Sequence, residues 1–412
     1  MTNPIAISDG VNLHIIPTEK FTTNIFCILI RRPLSREEVT GNALIPPILS
    51  RGSEKFPTVR DIRLAAETME GSLLDAQIIK KGEQQIMQFF LEYPSALAAQ
   101  GLDFLREITM RPRISIGFYA PYVESESQNL KNRIEGRINN RSEYTKLKCL
   151  EIMCEGEPFG LYGDGYASDL PNITAEKLLN SYNKAVSSSP IDFIALGKWD
   201  EKWLINEINS KFGPFNEPRD KVPKELLKPA RSNRKIVNLD NSGDPSAQGN
   251  LCIGLRGEIP ANGMDFIHFQ LANEILGGGP NSKLFSNVRE KESLCYAIFS
   301  TIYRFKSLMC ILAGTAPDKL DYVCELAEKE MNALKNGQFC EDDILSAKLS
   351  LSKRWRQMQD NPSSCVDFYA SQYLLEDSRT IDELLKHLEG ATADAISQAA
   401  SQLNIDTVVM MR

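Results

Sequence analysis

The chain has 412 residues, more than one ordinary core can use, which predicts two domains of roughly 200 residues each. Its 42% hydrophobic and 25% charged content is that of a globular protein and excludes disordered and fibrous classes. A net charge of -7 argues against a nucleic-acid partner, which would require a basic face.

The opening "MTNPIAISDG" has neither the basic nor the apolar region of a secretory signal, and no apolar run approaches the ~20 residues that span a bilayer. A cytoplasmic location without a membrane partner is expected. Nine cysteines form an odd set without a C-x-x-C pair, and several sit in apolar runs, so buried reduced thiols are expected.

In chain order, the first unusual stretch is "GNALIPPILSRGSEKFPT", Gly41 to Thr58. Adjacent prolines remove two backbone donors, so a helix here is expected to begin at Pro46 or to break there. Thr58 can then cap a helix, with Asp61 three residues on and Val59, Ile62, Ala66 and Met69 at helical spacing before Gly71. Two strand-like runs follow, "SLLDAQIIK" and "QQIMQFFLEY", around a Lys-Lys-Gly-Glu turn. A helix opens at Pro94-Ser95 with Leu102, Leu105 and Ile108 on one face.

The second half repeats this order. "NSKLFSNVREKES" reads as a short helix, and "LCYAIFSTI" and "SLMCILAGT" read as strands. Pro317 opens a helix with Leu320, Val323, Ala327, Met331 and Leu334 at spacings of three and four. Matching Leu73 to Leu294 and Pro94 to Pro317 gives offsets of 294 − 73 = 221 and 317 − 94 = 223. A repeat of that length predicts duplicated domains, since solenoid units run to only ~20 to 50 residues.

Between the halves, Gly213 to Lys235 holds four prolines and ten charges with little apolar pattern, as a linker does. Domains are therefore expected at residues 1–212 and 236–412 with a linker at 213–235. Hairpins mixed with helices predict an α+β class, with mostly antiparallel sheets each covered on one face by helices.

"LGGGPNSKLFSNVREKESLCYAIFS", Leu276 to Ser300, resembles the C-terminal-domain signature of the insulinase-like, pitrilysin-type zinc peptidases, family M16. There a Gly-rich turn leads to a helix and an Arg-x6-Tyr pair, and Arg289 and Tyr296 stand at that spacing. The likeness extends over nearly the whole chain, including "FPTVRDIRLAAETMEGSL" and "EPFGLYGDGYASDLPNIT". It implies two homologous M16-type domains forming a clamshell. "GVNLHIIPTEKF" and "KKGEQQIMQFFLEY" further resemble a bacterial zinc-less subgroup, the YfmF-like proteins, named for an association with elongation factor P aminopentanol modification.

Active members of the family carry His-x-x-Glu-His, in which two histidines and a distal glutamate bind zinc and the inner glutamate is the general base. Counting back from Gly52, that motif falls on Ala43, Pro46 and Pro47, or one residue later on Leu44, Pro47 and Ile48. None can bind a metal or take a proton. The chain has three histidines, His14, His268 and His387, too dispersed for a shifted site. The distal glutamate, expected about 77 residues after Pro47, lands at Glu124, since 124 − 47 = 77, so Glu124 and Glu126 resemble remnants of the metal helix.

The resemblance implies that Arg289 and Tyr296 contact the substrate and its developing oxyanion across a chamber, with Gly277, Gly278 and Gly279 shaping the substrate side. The expected role is the zinc-less, non-catalytic subunit of a heterodimeric metallopeptidase. It would have no cofactor of its own, and zinc would lie in a related M16 partner with an intact His-x-x-Glu-His. Peptide or unfolded protein is the expected substrate, and homodimerisation of the isolated chain stays open. The alternatives are a structural scaffold subunit and a peptide-binding module that adds a substrate strand to a sheet edge. A Ser or Cys hydrolase is disfavoured by the absence of G-x-S-x-G and the scarcity of histidines. Arg133, Arg137 and Arg141 are spaced as a basic stripe on one helix, expected to be solvated.

Overall fold

The structure, a computed structural model, describes residues 4–240 and 248–412. The first half runs β1 (Ile5–Ser8), β2 (Val11–Pro17), β3 (Thr23–Pro33), α1 (Val39–Leu49), α2 (Val59–Thr68), β4 (Leu73–Lys81) and β5 (Gln84–Pro94). Then come α3 (Ala98–Met110), α4 (Ala120–Glu135), α5 (Arg141–Met153), α6 (Ala175–Ser188), β6 (Ile191–Gly197) and α7 (Glu201–Phe212). Residues 213–234 form neither helix nor strand. The second half runs β7 (Lys235–Leu239), β8 (Gly249–Arg256), α8 (Asp265–Asn273), β9 (Cys295–Tyr303), β10 (Leu308–Thr315) and α9 (Leu320–Lys335). It ends with α10 (Glu341–Gln359), α11 (Pro362–Leu374), α12 (Ile381–Glu389), α13 (Ala393–Ser401) and β11 (Asn404–Met411).

These elements make two units, each α+β. Unit 1 holds the residues up to Glu135, Leu161–Lys224 and Asn361–Ser371; unit 2 holds Gly136–Gly160, Glu225–Asp360 and Gln372–Arg412. The sheet of unit 1 has the order β1-β2-β6-β3-β5-β4, and that of unit 2 the order β7-β11-β8-β10-β9. Each contains one parallel pair, β2 with β6 and β7 with β11, and is otherwise antiparallel. Omitting β1, the two orders correspond strand for strand, so the predicted repeat is visible in the topology.

Alternating side chains fix each sheet on its core. In unit 1, Phe26, Ile28 and Ile30 of β3 point into one cluster with Phe89, Leu91, Leu102, Leu105 and Ile108. Thr58 caps α2 as its sequence predicts, with reciprocal bonds to Asp61 of 3.2 and 3.0 Å, an arrangement worth about 1 kcal/mol. In unit 2, β8 is buried throughout because both faces are covered. A Cβ on Gly249 would meet Leu320 of α9, whereas one on Gly254 would meet Cys149 and Met153 of α5.

Each unit thus takes a helix from the other half of the chain. Helix α5 belongs to unit 2, and the first residues of α11 belong to unit 1, where Lys81 Nζ reaches Asp367 Oδ1 at 2.7 Å and Ser371 Oγ at 3.1 Å. A buried charge network holds the α5 segment. Arg256 Nη2 donates to Glu157 Oε1 at 2.6 Å and to Met153 O at 2.5 Å, and Lys306 Nζ lies 3.2 Å from Glu157 Oε2.

Two local expectations differ from the structure. Helix α1 is neither begun nor broken at the prolines: it runs from Val39 to Leu49 with Pro46 and Pro47 inside. An interior proline costs about 3 kcal/mol, and burial of nearly the whole helix offsets it, assisted by side-chain bonds from Gln85. Gln85 accepts from Asn42 Nδ2 at 3.1 Å and donates to Val39 O at 2.8 Å. Arg133, Arg137 and Arg141 do not share one helix, because α4 ends at Glu135 and a 3-10 turn over Gly136–Asn139 separates it from α5. Among the described residues no helix is long and apolar enough to cross a membrane.

Candidate functional site

The place where the family's metal motif would fall lies on α1. Ala43 is 1% exposed, Pro46 is buried and Pro47 half-buried; in the register one residue later, Leu44 and Ile48 are buried as well. Ala43, Leu44 and Ile48 belong to the core of unit 1, together with Phe89 and Phe118. None of the side chains at these positions offers a lone pair to a cation, so zinc does not fit here. Among the described residues no group of three or more His, Cys, Asp or Glu side chains is placed to hold a metal.

Glu124 is solvent-exposed on α4. The carboxylate that reaches the end of α1 is Glu126, two residues on and 8% exposed, which accepts from the guanidinium of Arg51 and from Asn129 Nδ2 at 3.3 Å. An arginine-paired carboxylate of this kind is already neutralised. The three histidines stay apart: His14 bonds Asp192 at 2.8 Å inside the first sheet, His268 sits near Asp265 on α8, and His387 is on α12.

The second half presents the opposite picture. After α8 the backbone widens into a π-turn, Glu274–Gly278, a geometry often found at functional positions. Packing demands glycine here. A Cβ on Gly277 would come within 2.7 Å of Ser300 N, one on Gly278 within 2.4 Å of Asn273 Nδ2, and one on Gly279 within 2.9 Å of Glu274 O. The predicted short helix is a second π-helical segment, Leu284–Lys291, which packs on β9 through buried Leu284 and Val288.

Arg289 lies on the exposed side of that segment, its guanidinium 4.9 Å from the Phe285 ring centroid. Tyr296 is 73% exposed on β9, the edge strand, and Phe299 on the same strand is 43% exposed. Ser293, with φ of 54°, turns the chain between them. Among the described residues neither Arg289 nor Tyr296 has a hydrogen-bond or ion-pair partner, so Arg289 is not engaged by Glu290 or Glu292. The structure does not join the two side chains directly; it sets both outward on consecutive elements. Cys295 is no nucleophile beside them, since burial pushes its thiol up to about 11.

One polar cluster here has no signature in the sequence. Glu274 is 2% exposed; its Oε1 lies 3.0 Å from Arg354 Nη1, and its Oε2 accepts from Ser350 Oγ at 2.9 Å and Arg354 Nη2 at 3.0 Å. It borders a cavity of about 170 Å³ lined also by Gln270, Asn273, Gly278 and Ser300. The i, i+4 spacing of Ser350 and Arg354 puts both on one face of α10, but nothing local in the sequence says which carboxylate that face meets.

Residues 172–351 match the family model described as the peptidase M16 inactive domain. The chain is 28% identical to "Probable inactive metalloprotease YmfF" of Bacillus subtilis (strain 168), whose symbol is YmfF rather than YfmF, over 98% of this chain and 96% of that protein. It is 26% identical to "Uncharacterized zinc protease YmxG" of the same strain over 208 residues, 48% of each chain. In fold it is similar to a conserved protein from Enterococcus faecalis V583, with a TM-score of 0.92 and 24% identity, covering 100% of this chain and 98% of that one. The whole-length likeness to a relative named an inactive metalloprotease joins a filled metal position to a retained Arg-x6-Tyr stretch, and that stretch lies within the residues that match the M16 inactive-domain model.

Proposed function

We propose that this chain is the non-catalytic subunit of a two-chain M16 metallopeptidase and contributes Arg289 and Tyr296 to a substrate held at the zinc of a related partner. The observation that carries this reading is the contrast between the exposed Arg289 and Tyr296, which among the described residues have no hydrogen-bond or ion-pair partner, and the buried or half-buried apolar side chains at the metal positions of α1. A guanidinium and a phenol can each donate to a peptide carbonyl as negative charge develops on it. The pairing is supported by names alone: B. subtilis strain 168 has one relative called an inactive metalloprotease and another called a zinc protease. The reading includes a cytoplasmic location, a peptide substrate and zinc only in the partner.

The test is zinc content and peptide hydrolysis of the purified chain alone, and of the chain co-expressed with an M16 relative bearing His-x-x-Glu-His. The chain alone holds no stoichiometric zinc and is inert, while the pair hydrolyses peptide faster than the zinc-bearing relative alone. Stoichiometric zinc and hydrolysis by the lone chain would overturn the reading. A pair no more active than the zinc-bearing relative would leave the scaffold role in its place.

A further inference from the structure

We propose that unit 1 carries a second ligand site, a cleft between Arg106 and Arg219 that takes a small organic acid, its carboxylate on the two guanidinium groups and its apolar chain on the cleft wall. The inference does not depend on the peptidase reading above.

The cleft has a volume of about 380 Å³, within the about 300–1,000 Å³ of small-molecule sites. It forms where α3, the C-terminus of α6 and the C-terminus of α7 meet the chain that follows α7. Met110, Ile191, Phe212 and Phe215 supply apolar surface. Four cations and one carboxylate, the exposed Glu217, complete the charged lining.

Two of the cations are already matched. Lys211 pairs with Asp103 and with Glu207, and Arg111 pairs with Glu54. Arg106 and Arg219 are not. Arg106 Nε donates to Lys211 O at 2.7 Å, and Arg219 Nη1 donates to Val186 O at 2.5 Å and Ser189 O at 3.0 Å. Among the described residues neither meets a carboxylate. Helix C-terminal carbonyls favour a nearby cation, which accounts for these contacts. A guanidinium has five donors, however, and most remain uncommitted on both residues.

Among the described residues Arg219 Nε is buried without a hydrogen-bond partner. Burial also lowers the Arg219 pKa, as expected for a desolvated cation without a counter-charge. A carboxylate bound to both arginines would supply that charge through the bidentate geometry that guanidinium groups favour. The adjoining apolar wall then selects an acid with a hydrocarbon chain over a bare inorganic anion.

Such an acid could be a free fatty acid or the C-terminal carboxylate of a peptide, and titration calorimetry on the full chain distinguishes them. The probes are octanoate, 1-octanol, and N-acetyl-Leu-Phe as free acid and as amide. Saturable one-site binding of octanoate, with none for octanol, is expected, and Arg106→Gln and Arg219→Gln should each weaken it at least about tenfold. If the dipeptide acid also binds and its amide does not, the ligand class extends to peptide termini; if only octanoate binds, it is a fatty acid. The proposal is overturned if neither acid binds, if octanol binds like octanoate, or if the folded variants bind like wild type. Should Arg219→Gln fail to fold, Arg106→Gln decides the matter, because its guanidinium makes one main-chain bond only.

Discussion

In unit 1 an arginine follows α1 and its glutamate partner lies on α4, Arg51 with Glu126; in unit 2 a glutamate ends α8 and its arginine partner lies on α10, Glu274 with Arg354. The first members are offset by 274 − 51 = 223 residues, the offset that also relates Pro94 to Pro317. The duplicated frame keeps an ion pair between the same two helices while exchanging which helix carries which charge. What differs is the use of the surroundings. Unit 1 has filled α1 into its core, whereas unit 2 keeps a π-turn, a polar cavity and an edge strand with exposed Tyr296 and Phe299.

The exchanged helices differ in the same way, and this sets the largest expected effect on stability. Glu157, which ties the α5 segment into unit 2, has a side chain 4% exposed against Arg256 and Lys306 at 3% and 0%. Glu157→Ala removes the carboxylate shared by two buried cations, leaving Arg256 with only the more distant Asp406 Oδ2 at 3.5 Å, and should cost about 3–5 kcal/mol in urea unfolding. Asp367, its counterpart in holding α11 to unit 1, is 62% exposed, and Asp367→Ala should cost less than about 1 kcal/mol. Equal costs would remove the distinction between the two attachments.

Inside the first sheet, burial of Asp192 would raise its pKa, but the His14 bond and the Arg31 charge outweigh it and hold the carboxyl below its usual range. A depressed folded pKa contributes stability above the unfolded value, about 3.9, and that contribution is lost as pH falls through the folded value. Asp192→Asn should therefore cost about 3 kcal/mol at pH 7, with the gap to wild type closing below about pH 4. A gap that widens in acid would contradict the sign.

The π-turn supplies a smaller effect. Gly277→Ala forces a methyl against Ser300 N and should cost about 1–3 kcal/mol in thermal or urea unfolding. Gly136→Ala, where the added Cβ would find only Asn139 Nδ2 at 3.7 Å, should change stability by less than about 0.5 kcal/mol. The smallest expected effect belongs to metal: chelator or added zinc should leave the Tm of the isolated chain unchanged. A zinc-dependent rise would mean that α1 or its neighbours hold a metal after all.

Much of this architecture is legible in the residues because each signal is local. The Thr58 cap, the hairpin turn after Lys81 and the spacing of Leu320, Val323 and Ala327 act within a few residues of themselves, and each forms where its pattern places it. The absence of zinc donors at Ala43, Pro46 and Pro47 is legible for the same reason. Pro46 and Pro47 mislead because local propensity disfavours the helix while burial in unit 1 restores it. The exchange of α5 and α11 is invisible, since an amphipathic pattern names a buried face but not the sheet that covers it. The burial of Glu126 rather than Glu124 depends on the rotation of α4 against α1, and the Glu274–Arg354 pair on contacts 80 residues apart, which no local spacing encodes.

The central claim is that the surface chemistry of unit 2 serves a site completed by another chain. The most direct test is kcat/KM for peptide hydrolysis by the assembled pair, with assembly checked by size-exclusion chromatography, for Arg289→Ala and Tyr296→Phe against Arg51→Ala. Loss of one transition-state donor should lower kcat/KM by about 10²–10³ for either of the first two substitutions while the pair stays intact, and Arg51→Ala should stay within about threefold of wild type. Full activity in an intact pair carrying Arg289→Ala and Tyr296→Phe together would contradict the account.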